Sequence, residues 1–564
     1  MKTGIRTAAQ QLSALCTALA LLVACGEPGV PEVPASDTIF TGRFVTLDEA
    51  RPEVAALAVR EGVIVAMGSL AEVEAQAGTT ARRIAVPGVA VPGWVDAHVH
   101  ISGYGSLLEM LNVQNLRKQD IVAAVAEQVG QRAPGEWLVG RGWDEGFFDV
   151  ESYPTRQDLD AVSPDNPVYL ERIDGHSGWA NSAALALAGV TRGTADPEGG
   201  RILKDDAGEP SGMLLETATG LVAAVMPQTG SRDVLERQMR LAFERYVRFG
   251  LTGVHDAGTS LVEIDILKDL LAAGELPIRV YAMASGHPAV QHYLDTGPEV
   301  GLGDDLLTVR SFKIMMDGAL GARGAELSEP YSDAPDTSGL QQMADEQVGA
   351  FLANARERGF QVNAHVIGDL GVRRMLDAME RAGVSPDERF RLEHASMIAP
   401  GDLPRFAALG AVASLQPVFV GEYQRWSEDR VGPDRVRWIL PIRDLLASGA
   451  VVASGTDYPA SDTGDPRATL YALVTRKGAD GNPDGGWYPE QAVDVGTALR
   501  SMSIGPAYAA FQEDLLGTLS IGRYADFTVL GSDPRSVPPE RLRNIEVTMT
   551  VVGGRVAWSA DKQT

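Results

Sequence analysis

The chain has 564 residues, 45% of them hydrophobic, enough to bury a large core and to form more than one domain. Its formal charge of -26, with no stripe of clustered Lys and Arg, excludes a protein that holds nucleic acid through non-specific phosphate contacts. The acidity reads as a solvated surface that keeps the protein soluble.

In chain order, the first feature is a processing segment. Lys2 and Arg6 form a positive start, and Leu12 to Ala24 is an apolar run shorter than the ~20 residues a bilayer requires. Leu22-Val23-Ala24-Cys25-Gly26 follows and resembles a bacterial lipobox, which implies cleavage before Cys25 and lipidation of that residue. Residues 1–24 are therefore expected to be a signal peptide. Residues 25–37, rich in Pro, Val and Ser, are expected to be an extended tether from a lipid anchor in the membrane of the cell envelope. That anchor points to the periplasmic side and is compatible with an outer-membrane destination. The only cysteines are Cys16 and Cys25, so a metal in the mature domain must be held by His, carboxylate or something less usual.

Residues 38–92 read as short strands and turns, and a matching set recurs in 511–564, at Ala525 to Leu530, Val547 to Val552 and Arg555 to Trp558. The two ends are expected to build one small β-sandwich, with residues 93–510 inserted as the main domain. After Pro92-Gly93, an apolar run ends in His98-Val99-His100. Residues two apart on a strand point the same way, so both imidazoles can reach one ion. Further β-type runs recur at Leu251 to His255, Ile278 to Met283, Leu307 to Met315, Gln361 to His365, Phe390 to His394, Ala411 to Gln416 and Ala450 to Ser454. Amphipathic helices closed by glycine precede several of them. Leu235, Met239, Ala242 and Tyr246 share a face before Gly250, as do Val348, Phe351, Leu352 and Ala355 before Gly359. Eight β/α units predict an α/β fold, a (β/α)8 TIM barrel with its site at the strand C-termini. The segment from about 101 to 250 is too long for a loop and is expected to form a subdomain over the barrel mouth.

Four of the eight histidines close predicted barrel strands: His98, His100, His365 and His394. Asp457 follows the eighth strand, where a lone acid would read as a turn or cap residue but, beside four histidines, reads as a ligand. Lys313 lies in a mostly apolar strand, where a charged ammonium is costly unless paired, with Asp317 or Glu326 as the available partners. Unpaired, it would become a neutral amine, which reacts with carbon dioxide to give a carbamate able to bridge two ions. His176 and Trp143-Asp144 fall in the inserted segment, where they are candidates to line a lid and contact substrate.

The motifs together identify a resemblance to the amidohydrolase superfamily, in the branch of the N-substituted formamide deformylases. They are Pro92 to His100, Asp174-Gly175-His176-Ser177-Gly178-Trp179-Ala180-Asn181, Lys313 to Leu320, His365-Val366-Ile367-Gly368-Asp369, Arg391 to Ala395, Ser454 to Pro459 and Gly517 to Asp526. The branch's Asp-Arg-Ala after the fifth-strand motif is here Asp369-Leu370-Gly371. The resemblance implies that His98, His100 and Asp457 bind one divalent ion and His365 and His394 a second, with carboxylated Lys313 between them. It implies two zinc ions and hydrolysis of a small-molecule amide or N-substituted formamide by metal-activated hydroxide, with Asp457 as general acid and base. A mononuclear deaminase or cyclic-amide or lactone hydrolase on the same barrel is the alternative. From another class stands a non-catalytic solute-binding lipoprotein. Homo-oligomerisation is compatible with either reading.

Overall fold

The computed structural model describes residues 38–77, 81–150, 152–226 and 231–563. The expected signal peptide, tether and Cys25 lie outside the described residues. Among those described, no helix is long and apolar enough to cross a membrane.

Eight parallel strands form the central sheet: β1 (Trp94–Val99), β2 (Leu251–Thr259), β3 (Arg279–Ala284), β4 (Leu307–Met315), β5 (Gln361–Val366), β6 (Arg391–His394), β7 (Val412–Leu415) and β8 (Val451–Ser454). They pair in sequence order from β1 to β8. Such strands are covered on both faces, so they read as near-continuous apolar runs, and β3 is buried at every position. Closure of the barrel falls just beyond the strand ends. Asp457 N donates to His98 O at 2.7 Å and His100 N to Tyr458 O at 3.1 Å. Helix Arg232–Arg248 leads into β2 with Met239, Ala242 and Tyr246 fully buried and Arg245 and Arg248 in its last turn, complementing the helix dipole. Gly250 then turns at φ +88, and a Cβ there would lie 2.5 Å from Thr528.

A second, seven-stranded sheet draws on both chain ends, in the order Arg555–Ser559, Val547–Val552, Phe527–Leu530, Arg82–Pro92, Thr38–Val45, Glu53–Arg60, Val63–Gly68. It curls over on itself. Ile64 N donates to Arg523 O at 2.8 Å and Ala525 N to Gly62 O at 2.8 Å, so the layers of the small domain are parts of one continuous sheet. Its core includes Phe40, Phe44, Leu57 and Val551, with Phe527 edge-on to Phe40 at 5.1 Å and to Phe44 at 5.7 Å. The domain is tied to the barrel by Arg279 on β3, whose guanidinium meets Asp526 at 2.7 and 3.0 Å and lies 4.0 Å over the Tyr524 ring.

Between β1 and β2 the chain builds a third sheet, in the order Gly200–Lys204, Pro210–Glu216, Ser177–Ala180, Val168–Arg172, Leu138–Trp143, Leu111–Asn112. This inserted sheet covers the barrel mouth: its residues Arg141, Glu171 and His176 line the same cavity, of about 440 Å³, as Lys313, His365 and Asp457 from the barrel.

Candidate metal centre

The alternation of β1 places Asp96 and His98 on one side of the strand, with His100 just past its end. The Asp96 carboxylate fixes this stretch to the last strand. Its Oδ1 accepts from His98 N at 3.1 Å and Thr456 N at 2.9 Å, and its Oδ2 from the Thr456 hydroxyl at 2.7 Å. Asp457 is thereby held with φ +59, a left-handed conformation that costs a non-glycine residue about 1–3 kcal/mol and persists only where its surroundings enforce it. His394, at φ +71, shares this property.

The side chains converge. Asp457 Oδ1 lies 3.3 Å from His98 Nε2 and 3.1 Å from His100 Nε2. One donor atom from each of these three residues falls within 4.8 Å of the others. Lys313 Nζ is 3.3 Å from His98 Nε2, and the His394 ring lies 4.7 Å from that of His98 and 4.6 Å from that of His365. All six candidate ligands therefore occupy one cluster at the strand C-termini. The two partners that might have neutralised Lys313 are engaged elsewhere. Asp317 accepts from the backbone N–H groups of Glu326, Ile367 and Gly368 at 2.8 to 2.9 Å, and Glu326 pairs with Arg374. A Cβ at Gly371 would sit 2.8 Å from Asp317 Oδ2.

Electrostatics suit the cluster to a cation. Burial, reinforced by Lys313 at His98, by His394 at His365 and by His98 at His394, holds these three imidazoles well below the ordinary histidine range, so their ring nitrogens offer lone pairs. Burial likewise lowers the Lys313 amine, against the pull of Glu393 and Asp457. Burial alone would raise Asp457, but His98, His100 and Lys313 bring it down to about 2. Among the described residues, His365 Nε2 makes no hydrogen bond, and Asp457 Oδ1 meets only the imidazole nitrogens of His98 and His100; both are metal-ligand atom types. A site of neutral imidazoles, one carboxylate and an imidazole nitrogen without a hydrogen bond fits a divalent ion.

Several residues to which sequence reasoning gave no role support this cluster. Glu393, fully buried on β6, receives His98 Nδ1 at 2.5 Å and pairs with Arg391 at 2.7 Å; this sets the tautomer that leaves His98 Nε2 free. Arg391 also donates to Ala97 O at 2.6 Å, and its guanidinium lies 2.8 Å from His255 Nδ1, which places that histidine in the barrel interior. Gln416 holds His394 Nδ1 at 2.8 Å. The period-2 spacing of Arg391 and Glu393, two charges on one face of an apolar strand, was the available signal.

The inserted segment places His176, just before strand Ser177–Ala180, at the cavity. Its Nδ1 meets Glu216 Oε2 at 2.8 Å, its ring lies 5.9 Å from that of His365, and it lines the cavity. Burial alone would lower its pKa, but Glu216, with Asp174 and Asp457, raises it to about 9, leaving a cation at neutral pH. Glu216 adopts φ +50 and ψ -127, a strained backbone that carries its carboxylate to the imidazole. Trp143 is corrected: it does not line the cavity. It is wholly buried in the core of the inserted sheet, stacked on Phe148 and edge-on to Trp179, and its Nε1 donates to Leu170 O at 2.8 Å. A large indole on a strand buries its area before it can serve a ligand.

Comparison with known proteins agrees with this architecture. The model of the Amidohydrolase family matches residues 88–557. YtcJ of Bacillus subtilis, named as an amidohydrolase, is 33% identical over 92% of this chain and 99% of its own length. The N-substituted formamide deformylase of Arthrobacter pascens is 28% identical over 92% of this chain and 97% of its own. Among solved structures, a metal-dependent hydrolase from Pyrococcus horikoshii matches with a TM-score of 0.72 and 27% identity, covering 89% of this chain and 99% of that one.

Proposed function

The chain belongs to the amidohydrolase family, hydrolases of carbon–nitrogen bonds, and from that premise we propose that it cleaves a small-molecule amide or N-substituted formamide. The observation that carries this reading is the convergence of His98, His100 and Asp457, with Lys313, His365 and His394 in the same cluster. We assign His98, His100 and Asp457 to one divalent ion and His365 and His394 to a second, both zinc, with Lys313 as a bridging carbamate formed from its amine and carbon dioxide. A divalent ion bound there supplies two things, a lowered pKa for the attacking water and polarisation of the substrate carbonyl.

The protein's own groups do the rest. Asp457, held ionised, accepts a proton as water adds to the acyl carbon and returns it to the nitrogen as the carbon–nitrogen bond breaks, giving carboxylate and amine. His176, fixed by Glu216, offers a charged N–H to the substrate oxygen. The inserted sheet over the mouth shields these groups from bulk water.

One observation favours the mononuclear alternative, since only His98, His100 and Asp457 bring ligand atoms within 4.8 Å of one another among the described residues. Metal analysis of the purified protein, combined with a panel of amides, formamides, lactones and amino-heterocycles, decides. Two zinc equivalents with amine release from amides support the dinuclear reading. One equivalent with ammonia release supports the deaminase, and bound metal with no turnover supports a solute-binding role. From the Leu22 to Cys25 motif we also infer a lipid anchor in the bacterial envelope, checked by mass spectrometry of the mature N-terminus.

A further inference from the structure

One wall of the cavity is a single helical stripe. Helix Val420–Arg435 and the residue before it present Phe419, Glu422, Tyr423 and Trp426 to the cavity, positions spaced by three, four and seven as one helix face requires. Three of the four are aromatic. Phe419 stacks on His394 at 6.4 Å, Tyr423 lies 5.2 Å from Phe419, and Trp426 lies 5.1 Å from Tyr423, so the wall starts at the candidate metal centre and leads away from it.

Glu422 is the exception, an acid 4% exposed within an otherwise apolar face. A carboxyl so buried is costly unless paired. Its neighbouring cations are already committed. Arg172 pairs with Asp174 at 2.6 Å, Glu145 at 2.9 Å and Asp144 at 3.3 Å, and Arg425 pairs with Asp144 at 2.9 Å and reaches Asp462 at 3.8 Å. Two guanidinium groups thus serve five carboxyls, those four and Glu422, and Glu422 makes no hydrogen bond or ion pair among the described residues. The other cavity cations are likewise engaged, Arg141 by Glu171 at 3.0 Å and His176 by Glu216 at 2.8 Å.

The positive partner that this pocket lacks is one that a ligand can bring. We propose that Glu422, flanked by the Tyr423 and Trp426 rings, is the subsite for a substrate ammonium group, so that the preferred substrates are amides or formamides carrying a second, charged amine. A cation there gains the carboxylate beside the aromatic side chains of Tyr423 and Trp426, the second of which already carries the Arg430 guanidinium 5.7 Å from its ring centroid. Consistent with a missing cation, burial, followed by Asp144 and Asp462, pushes the Glu422 carboxyl well above the usual range in its absence. Glu422 lies one helical turn beyond Phe419, which itself stacks on His394 at 6.4 Å, so the carboxyl is set back from the candidate metal centre and suits a substrate whose two nitrogens are joined by a flexible chain of several methylenes.

This inference rests on the amide-hydrolase reading, and the test separates the two. The full chain, loaded with zinc, is assayed with N-(4-aminobutyl)formamide and its uncharged isostere N-pentylformamide. The expected ratio of kcat/KM favours the amino compound by about tenfold to a hundredfold. In Glu422→Gln that ratio falls to near one; because it is taken within a single preparation, partial misfolding cancels. Trp426→Leu, a second variant, lowers it by a smaller factor. Equal rates for the two compounds in the wild type, or a ratio retained in Glu422→Gln, would overturn the proposal. If neither formamide is hydrolysed, the amide-hydrolase reading has failed, and calorimetric binding of the same pair still decides: tighter binding of the amino compound, lost in Glu422→Gln, supports the subsite, and equal binding ends it.

Discussion

The two groups of candidate ligands are held in place differently. His98 and His100 come from one strand, Asp457 is hydrogen-bonded to that strand through its backbone, and the Glu393 carboxylate and Asp96 lock the arrangement from behind. His365 and His394 come from adjacent strands; His394 is steadied by Gln416, whereas His365 Nε2 makes no hydrogen bond among the described residues and lies 3.9 Å from Asp317 Oδ1. The first half is organised by the protein alone. The second has fewer protein contacts behind it, so an ion proposed there would be the more sensitive to conditions.

This contrast can be broken most decisively at Asp457. Asp457→Asn should lower kcat by about a thousandfold or more, since it removes the proton acceptor as well as a ligand; retention of activity within tenfold would remove Asp457 from the mechanism. Next in size, His365→Asn should cut turnover by about a hundredfold. Mass spectrometry should show one metal equivalent lost and one kept in the His98 half. An unchanged metal content would mean that the second half holds no ion. Glu393→Gln keeps every ligand but loosens the better-organised half. Its metal affinity, read by chelator competition, should fall about ten- to a hundredfold, with less change in kcat at saturating metal. The smallest effect belongs to the lid. Trp143→Phe removes the indole bond to the Leu170 carbonyl and leaves part of a fully buried site unfilled, and should cost about 1 to 3 kcal/mol in unfolding free energy with KM unmoved, whereas a raised KM would return Trp143 to the cavity.

The sequence was legible where one residue type carries one meaning. Apolar β-type runs alternating with glycine-closed helices gave the eight strands, and β4 spans Leu307–Met315 as its run suggested. Histidine is scarce here, so its recurrence at strand ends exposed four members of the cluster. Residues whose meaning depends on a distant partner stayed hidden. Glu393 lies 295 positions from His98 and Glu216 lies 40 from His176; the spacing of Arg391 and Glu393 marked a charged strand face, but nothing local named either partner. Glu422 sits in a helix that reads as charged and solvated, and only the packing of that helix against the cavity shows it to be buried. Trp143 illustrates the reverse error, a conspicuous side chain beside a suggestive motif whose indole is spent on core packing.

The small curled sheet has a consequence for how this protein is made. Its central strand, Arg82–Pro92, pairs on one edge with Thr38–Val45 but on the other with Phe527–Leu530, more than four hundred positions later, so the four N-terminal strands can pair among themselves while that second edge waits for nearly the whole polypeptide. Long-range pairing of this kind is slow and leaves an unfinished sheet edge open in the meantime. Completing the sheet is therefore a late docking event, in which Asp526 meets Arg279 at the base of the barrel.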